Sequence, residues 1–341
     1  MILPPEAPTS WTGDHHRLHR LLRRHPGLLP AGEPLLLAVS GGQDSMALVG
    51  LLLALQPQHG WRLLLWHGDH RWRPESTTQA RDLQAWAAAR GLPLQLDSWE
   101  RPVAERPSEA AARQWRYSCL ERRARQQSCQ RVVTGHTASD RAETLLLNLA
   151  RGCHRRGLAS LARSRVLGPG IMLVRPLLEF SRQDTGRICH ELELPLWLDP
   201  SNQDCRFSRN RLRHEVMPVL ESLHPGAAAR MARAAQQLAE VEQAQAELLD
   251  LALTALETQA PAGGLDPALS RKNLGQLSLA NQGQLIQSWL ERLGQHRCSA
   301  RILGTVLDGL REPASAGRAD LGGGWRLQWS SSTLWLCCGT N

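Results

Sequence analysis

Early in the chain, Ser40-Gly41-Gly42-Gln43-Asp44-Ser45 follows directly on the apolar run Leu35-Leu36-Leu37-Ala38-Val39. A buried strand that opens through two glycines into a helix brings backbone close to an anion and aims the amides of a helix start at it. Together with the Ser40 and Ser45 hydroxyls, those amides make a nest suited to pyrophosphate. A carboxylate at Asp44 would repel phosphate unless a divalent cation stood between them, so a magnesium ligand is the economical role for it. The loop has no lysine to reach the phosphates, as a G-x-x-x-x-G-K-[ST] site does, and it lacks G-x-G-x-x-G. Further on, His136, Asp140 and Glu143 follow Gly135 at spacings that share one helical face. Glu143 would complete a magnesium site with Asp44, and the His136 imidazole would steady a phosphate or leaving group. The plainer reading of this stretch is a helix start capped by Thr137. His67, Asp69 and His70 have metal-binding types, but no fourth ligand is evident for zinc.

The elements that must position these residues are legible as alternating apolar runs and helical stretches. Strands are expected at Leu35–Val39, Leu63–His67, Leu94–Asp97, Arg131–Thr134 and Ile171–Val174. Helices are expected at Ser45–Leu55, Ser76–Arg90, Glu109–Gln126 and Thr137–Ala150, with another opening at Ser181 through an S-x-x-D box. This alternation implies an α/β fold, a doubly wound parallel sheet of Rossmann-like type. In such sheets ligands bind at the carboxyl ends of strands, where the Ser40 loop, His67–His70 and Gly135–Asp140 all fall. An Arg-rich helix should run to Pro218, and a long helix should cover Ala227–Leu256. Shorter helices near 281–293 and 300–310 precede a hairpin built from Trp325–Trp329 and Thr333–Leu336. The expected domains are therefore 1–222, catalytic, and 223–341, smaller, mostly helical and ending in a β-hairpin. Leu18, Leu21 and Leu22 among arginines read as a short surface helix.

Composition narrows the partners. The net charge is +8, and Lys272 is the sole lysine, so the cationic charge is almost entirely arginine, which binds phosphate through a two-pronged fork. Arg113, Arg116, Arg151, Arg209 and Arg213 are candidates for contacts to a nucleic-acid backbone. The longest apolar runs are too short to cross a bilayer, and no signal peptide is visible, so a cytoplasmic protein with no membrane role is expected. None of the eight cysteines forms a C-x-x-C pair, which leaves free thiols as the expected state.

The loop matches the S-G-G-x-D-S signature of the PP-loop (N-type) ATP pyrophosphatases, and the flanking segments narrow the resemblance. His67-Gly68-Asp69-His70-Arg71-Trp72-Arg73-Pro74-Glu75-Ser76 resembles the H-V-D-H-G-L-R-x-x-S stretch of tRNA(Ile)-lysidine synthetases. Glu109 through Tyr117 resembles their E-x-x-A-R-x-x-R-Y helix, and Gly135 through Thr144 their G-H-x-x-D-x-x-E-T pattern. Arg151-Gly152, Gly157-Leu158, Arg175-Pro176-Leu177-Leu178, Asp199-Pro200-Ser201-Asn202 and Arg209-Asn210-x-x-Arg213 continue in the same order, so the likeness covers roughly residues 35–220. The chain departs from the pattern at Gly68, where valine is usual, at Arg71, where glycine is usual, and at Cys153-His154-Arg155-Arg156, where small residues are usual.

The resemblance implies an ATP-dependent ligase acting on the wobble cytidine of the CAU anticodon of tRNA(Ile). The cytosine O2 would attack the α-phosphate of ATP, and an amino group of L-lysine would then displace AMP. It implies ATP binding by Ser40, Gly41, Gly42, Gln43, Asp44 and Ser45, catalysis involving Asp44, His136 and Glu143, and magnesium on Asp44 and Glu143. An acidic lysine pocket would draw on Asp69 and Asp140. No obligate protein partner is evident. The alternatives are a PP-loop tRNA cytidine thiolase, which generally needs paired cysteines absent here, and a non-catalytic tRNA-binding protein.

Overall fold

Leu35, Leu36 and Leu37 are all fully buried because the strand they form, β1 (Pro34–Ala38), lies in the middle of a sheet covered on both faces. A central parallel strand has no solvent face, which is why its sequence is a continuous apolar run. The computed structural model describes residues 11–71, 74–100, 109–159, 161–197, 208–295, 298–312 and 315–338. Trp72, Arg73, Arg206 and the Asp199-Pro200-Ser201-Asn202 motif lie outside the described residues.

Following β1 in chain order are α2 (Gln43–His59), β2 (Arg62–Asp69), α3 (Pro74–Ala88), β3 (Leu94–Ser98), α4 (Glu109–Gln126), β4 (Arg131–Thr134) and α5 (Ala138–Ala150), with α1 (Gly13–Arg24) preceding it. Then come the short α6 (Arg155–Leu158), β5 (Ser164–Gly168), β6 (Ile171–Val174) and α7 (Arg182–Glu191). The sheet order is β3-β2-β1-β4-β6-β5; every pairing is parallel except the edge pair β5–β6. Leu35 and Leu37 join the core shared with α1, α2, α3 and α7, while Leu36 faces the opposite core with Leu120 and Ala124 of α4. The sheet is thus wound on both faces, in the Rossmann-like manner expected.

The α1 and β5 elements depart from the sequence reading, as do the strands Glu257–Thr258, Leu265–Ser270 and Gly317–Gly322 beside the expected C-terminal hairpin. The α1 leucines are not on the surface: Leu18, Leu21 and Leu22 are at most 3% exposed, packed into the α2 core, while Arg20, Arg23 and Arg24 are exposed. The edge strand β5 was not foreseen, because Ser164-Arg165-Val166 carries no apolar alternation.

After residue 207 the chain is helical through α8 (Ser208–Arg211), a π-helical turn (Leu212–Val216) and α9 (Met217–Leu223), followed by α10 (Ala227–Leu256). The chain divides into two compact units, residues 1–239 and 240–341, with the division inside α10, whereas the sequence reading sets it near 222. The second unit contains β7 (Glu257–Thr258), β8 (Leu265–Ser270), α11 (Arg271–Leu274), α12 (Leu279–Arg292), α13 (Ala300–Arg311), β9 (Gly317–Gly322), β10 (Trp325–Trp329) and β11 (Thr333–Cys338). The expected hairpin is β10–β11, and it belongs to a five-stranded antiparallel sheet ordered β7-β8-β11-β10-β9. Its core gathers Trp289, Leu327, Leu334 and Leu336. Buried Arg271 donates to the carbonyls of Gly309, Leu310, Glu312, Ser315 and Ser330, so its charge is spread over backbone dipoles that join α13 to the sheet.

In the first unit, one close approach fixes where α2 begins. A Cβ on Gly135, just past β4, would stand 2.7 Å from the Asp44 carbonyl oxygen and 3.0 Å from the Ser45 nitrogen. Both neighbours are backbone and cannot swing aside. Gly135→Ala should cost about 1–3 kcal/mol of unfolding free energy through overpacking, read as a lower denaturant midpoint at unchanged slope. An unshifted midpoint would show that the two segments can separate freely.

Candidate active site

The glycine loop is closed by its own serines. Ser45 Oγ donates to the Gly42 carbonyl (2.8 Å), accepts the Ser40 N–H (3.2 Å) and lies 3.1 Å from Ser40 Oγ, which in turn accepts the Gly42 N–H (3.3 Å). Gly41 has φ +82, in the left-handed region, and a Cβ there would stand 3.2 Å from the Trp197 ring. The backbone N–H of Trp197 also donates to the Gly41 carbonyl (3.0 Å), so the tryptophan presses on a loop position that has no side chain.

Three helix starts converge on this loop. Asp44 lies in the first turn of α2, where Thr185 Oγ1 donates to its Oδ1 (2.5 Å) and Arg182 Nη1 to its Oδ2 (3.2 Å). Both partners belong to α7, whose Ser181–Asp184 capping box is formed as the sequence predicts. The Arg182 N–H donates to Ser139 Oγ, tying the start of α7 to that of α5 (3.2 Å), and the Gln43 side-chain amide donates to the Arg182 carbonyl and to Thr185 Oγ1. Helix N-termini carry partial positive charge, so their convergence favours an anion. Burial pushes the Asp44 carboxyl above the usual range; the Thr185 hydrogen bond offsets this in part, and the nearby Asp140 charge adds to it.

Beside Asp44 stands a compact group of two acids and two arginines. Thr137 caps α5 and donates to Asp140 Oδ2 through both its N–H (2.8 Å) and its hydroxyl (3.0 Å). The other Asp140 oxygen accepts from Arg209 (2.9 Å) and Arg213 (3.4 Å). Glu143, only 3% exposed at its side chain, accepts from Arg209 Nε on one oxygen (2.9 Å) and from Arg213 Nε on the other (2.7 Å). Arg209 lies in α8, and Arg213 in the π-helical turn that follows it. Burial alone would raise the Asp140 carboxyl, but the Arg209 guanidinium, then His136 and the Thr137 N–H, hold it below the usual carboxylate range. Burial pushes the His136 imidazole down, with Asp140 opposing, so the ring is neutral at neutral pH; its Nδ1 lies 2.9 Å from Thr134 Oγ1.

The remaining predicted residues lie elsewhere. Asp69 is buried at the end of β2, where its oxygens accept from the Arg71 N–H and from the Ser76 and Thr77 hydroxyls, fixing the turn into α3. Arg113 and Arg116 are exposed on α4, Arg113 over the Tyr117 ring and Arg116 near His70; Arg151 is exposed at the end of α5. The structure therefore separates these three from Arg209 and Arg213, which turn onto carboxylates. A Cβ on Gly68 would stand 2.6 Å from the Trp66 ring and 3.0 Å from that of Trp115, so the two tryptophans occupy the space a valine would need. Arg71 has φ +49, the left-handed conformation that glycine adopts more cheaply.

Sequence reading missed Arg182, Thr185 and Trp197 as site residues. For Arg182 and Thr185 the signal was the capping box that places the start of α7; Trp197, beyond the end of that helix, carried none. As to magnesium, Asp44 offers one carboxylate beside the phosphate loop, with its oxygens accepting from Thr185 and Arg182. Glu143 has both oxygens engaged by arginines. Among the described residues no group of three His, Cys, Asp or Glu side chains is placed to hold a metal.

A serine-closed glycine loop at the carboxyl end of a central parallel strand, with an acid in the first helical turn, defines a PP-loop domain, and the family model described by that name matches residues 14–220. A tRNA(Ile)-lysidine synthase of Parasynechococcus marenigrum is 50% identical, with 96% of this chain and 95% of that one covered. Another, of Prochlorococcus marinus, is 39% identical over 96% of each. The chain belongs to the tRNA(Ile)-lysidine synthase family. A solved structure of the U34-tRNA thiolase NcsA from Methanococcus maripaludis, with its [4Fe-4S] cluster, superposes with TM-score 0.57 at 18% identity, covering 70% of this chain and 88% of that one, a likeness of fold.

Glu143→Gln would leave two largely buried guanidiniums facing a neutral amide. Breaking such a pair should cost about 3 kcal/mol of stability, read by chemical denaturation. A change within error would mean that water or Asp140 alone satisfies both arginines.

Proposed function

We propose that this chain is an ATP-dependent ligase that joins L-lysine to C2 of the wobble cytidine in the CAU anticodon of tRNA(Ile). The observation that carries this reading is 50% identity to a lysidine synthase over nearly the whole chain, which also has the phosphate loop and the acid–arginine group. In the first step the cytosine O2 attacks the α-phosphate of ATP; the bond to the β-phosphate breaks, leaving an adenylated base and pyrophosphate. In the second, a lysine amino group attacks C2 and AMP departs. Ser40 through Ser45 hold the phosphates with amides and hydroxyls already positioned, so no reorganisation is needed as charge builds. Asp44 would hold magnesium, whose charge offsets that on the departing pyrophosphate. His136, kept neutral, can exchange one hydrogen bond with a phosphate oxygen without placing a full charge there.

An amino acid presents an ammonium and a carboxylate, and the Asp140–Glu143–Arg209–Arg213 group offers partners of both signs in a partly dry setting. Asp140 is the acid we assign to the lysine ammonium, with Glu143 holding the arginines in place; Asp69 instead shapes its own turn. Exposed Arg113, Arg116 and Arg151 suit contacts to the tRNA backbone, which position the RNA while the base is read at its edges. Among the described residues no helix is long and apolar enough to cross a membrane. A reaction drawing on ATP, lysine and tRNA fits the cytoplasm.

The test is incorporation of labelled lysine into tRNA, with pyrophosphate release dependent on both tRNA(Ile) and lysine. Sulfur incorporation, or tRNA binding with no ATP turnover, would overturn the reading. Asp44→Asn should lower turnover by at least about 100-fold, the scale of losing one preorganised charge contact. The same change should leave the unfolding midpoint equal or higher. Because burial raises the folded-state carboxyl, the wild type loses stability as pH rises through the carboxylate range, and asparagine escapes that loss. A large fall in midpoint at neutral pH would contradict it.

A further inference from the structure

A cavity of about 430 Å³ opens on the face of the sheet that carries α1, beneath the loop that follows that helix. Its lining includes Arg24, His25, Arg131 and Arg163 over an apolar floor that includes Leu28 and Met172. Arg131 opens β4, at the end of the strand away from Gly135, so the cavity is not part of the nucleotide loop. We propose that it is a second anion site, one that takes a nucleoside monophosphate group.

The charge balance points to an anion. Among the described residues Arg131 donates only to neutral carbonyls, those of Gln130 and Gly27, and the latter bond holds the loop over the cavity. Arg163 has one acidic partner, Glu179 Oε1 at 2.8 Å. Among the described residues the Nε of Arg131 and the Nη1 of Arg163 are buried without an acceptor, and buried unmatched donors cost free energy, so neither guanidinium is fully satisfied where it stands. Arg24 and His25 are exposed at the rim. Guanidiniums grip phosphate oxygens in pairs, and three of them against one carboxylate leave positive charge for a dianion. The floor adds what a bare phosphate would not use: Met172, partly buried against the core beside the nearly covered Leu28, gives an apolar edge for a base. The volume lies within the range of small-ligand sites. The nucleotide could be a free one or a residue of an RNA chain, and the chemistry of recognition is the same for both.

Binding is measured calorimetrically by titrating AMP, and separately inorganic phosphate, into the full chain with its catalytic loop saturated by a non-hydrolysable ATP analogue. One further AMP equivalent should bind to the wild type and to Asp44→Asn alike. Arg163→Gln should weaken it about tenfold, the loss of one charge-assisted contact. Arg24→Glu, at an exposed position where folding is not at stake, should weaken it as well. A parallel filter-binding series with tRNA distinguishes the sources. AMP binding with tRNA affinity untouched by the two variants assigns a free nucleotide. Weakened tRNA binding with a shallower salt dependence, without AMP binding, assigns a nucleotide of the RNA. Inorganic phosphate binding as tightly as AMP would overturn the role of the apolar floor. Absence of both AMP binding and any tRNA effect would overturn the site, whatever the outcome of the lysine-incorporation assay.

Discussion

Contact between two pieces of backbone governs the first unit: the exit of β4 at Gly135 against the first turn of α2 at Asp44 and Ser45. A phosphate nest depends on the direction of its amides, and direction is set by where a helix begins. Pinning the start of α2 against an adjacent strand fixes that direction more firmly than side-chain packing could. The neighbouring helix starts follow from the same geometry, since α5 begins three residues past Gly135 and is tied through Ser139 to α7. What results is a region of positive potential made from backbone, with one acid held inside it.

The acid–arginine group has a different physical standing. Removing two carboxylates and two guanidiniums from water costs several kcal/mol per ion, and their mutual attraction about returns it, so such a group is weak evidence for stability. Its value lies in preorganisation. Each Glu143 oxygen meets its own Nε, which locks both guanidinium planes and leaves other donors to be directed by Asp140. The π-helical turn at Leu212–Val216 contributes to this arrangement, because the wider turn alters the angular offset between Arg209 and Arg213 from that of a regular helix.

Most of the sheet was legible because a buried parallel strand must be apolar throughout, as Leu35–Leu37 and Val132–Val133 are. The β5 edge escaped notice for the converse reason: with one side open to water it needs no apolar pattern. Arginine was the main source of ambiguity. On α1 the arginines disguised a leucine stripe that is core. At 209 and 213 a charge run consistent with an open track turned inward, because its partners sit in α5, far back in the sequence. Nothing in local composition marks Arg182 or Thr185 as guardians of Asp44, since that relation exists only once α7 has packed on α2. The loop itself was readable, for its chemistry is written in consecutive residues. The cluster beside it was readable only as a list of residue types.

The hydrogen bond between Thr185 and Asp44 joins residues 141 positions apart, and the arginine contacts to Glu143 span 66 and 70. Closing such long loops must precede any stabilisation they bring, which slows folding. A ribosome therefore has to release the chain beyond Arg213 before the glycine loop acquires its full surroundings. Before Arg182 and Thr185 have emerged, the loop is a turn after a strand with no partner for its acid. Nucleotide affinity should accordingly be among the last properties the nascent protein gains.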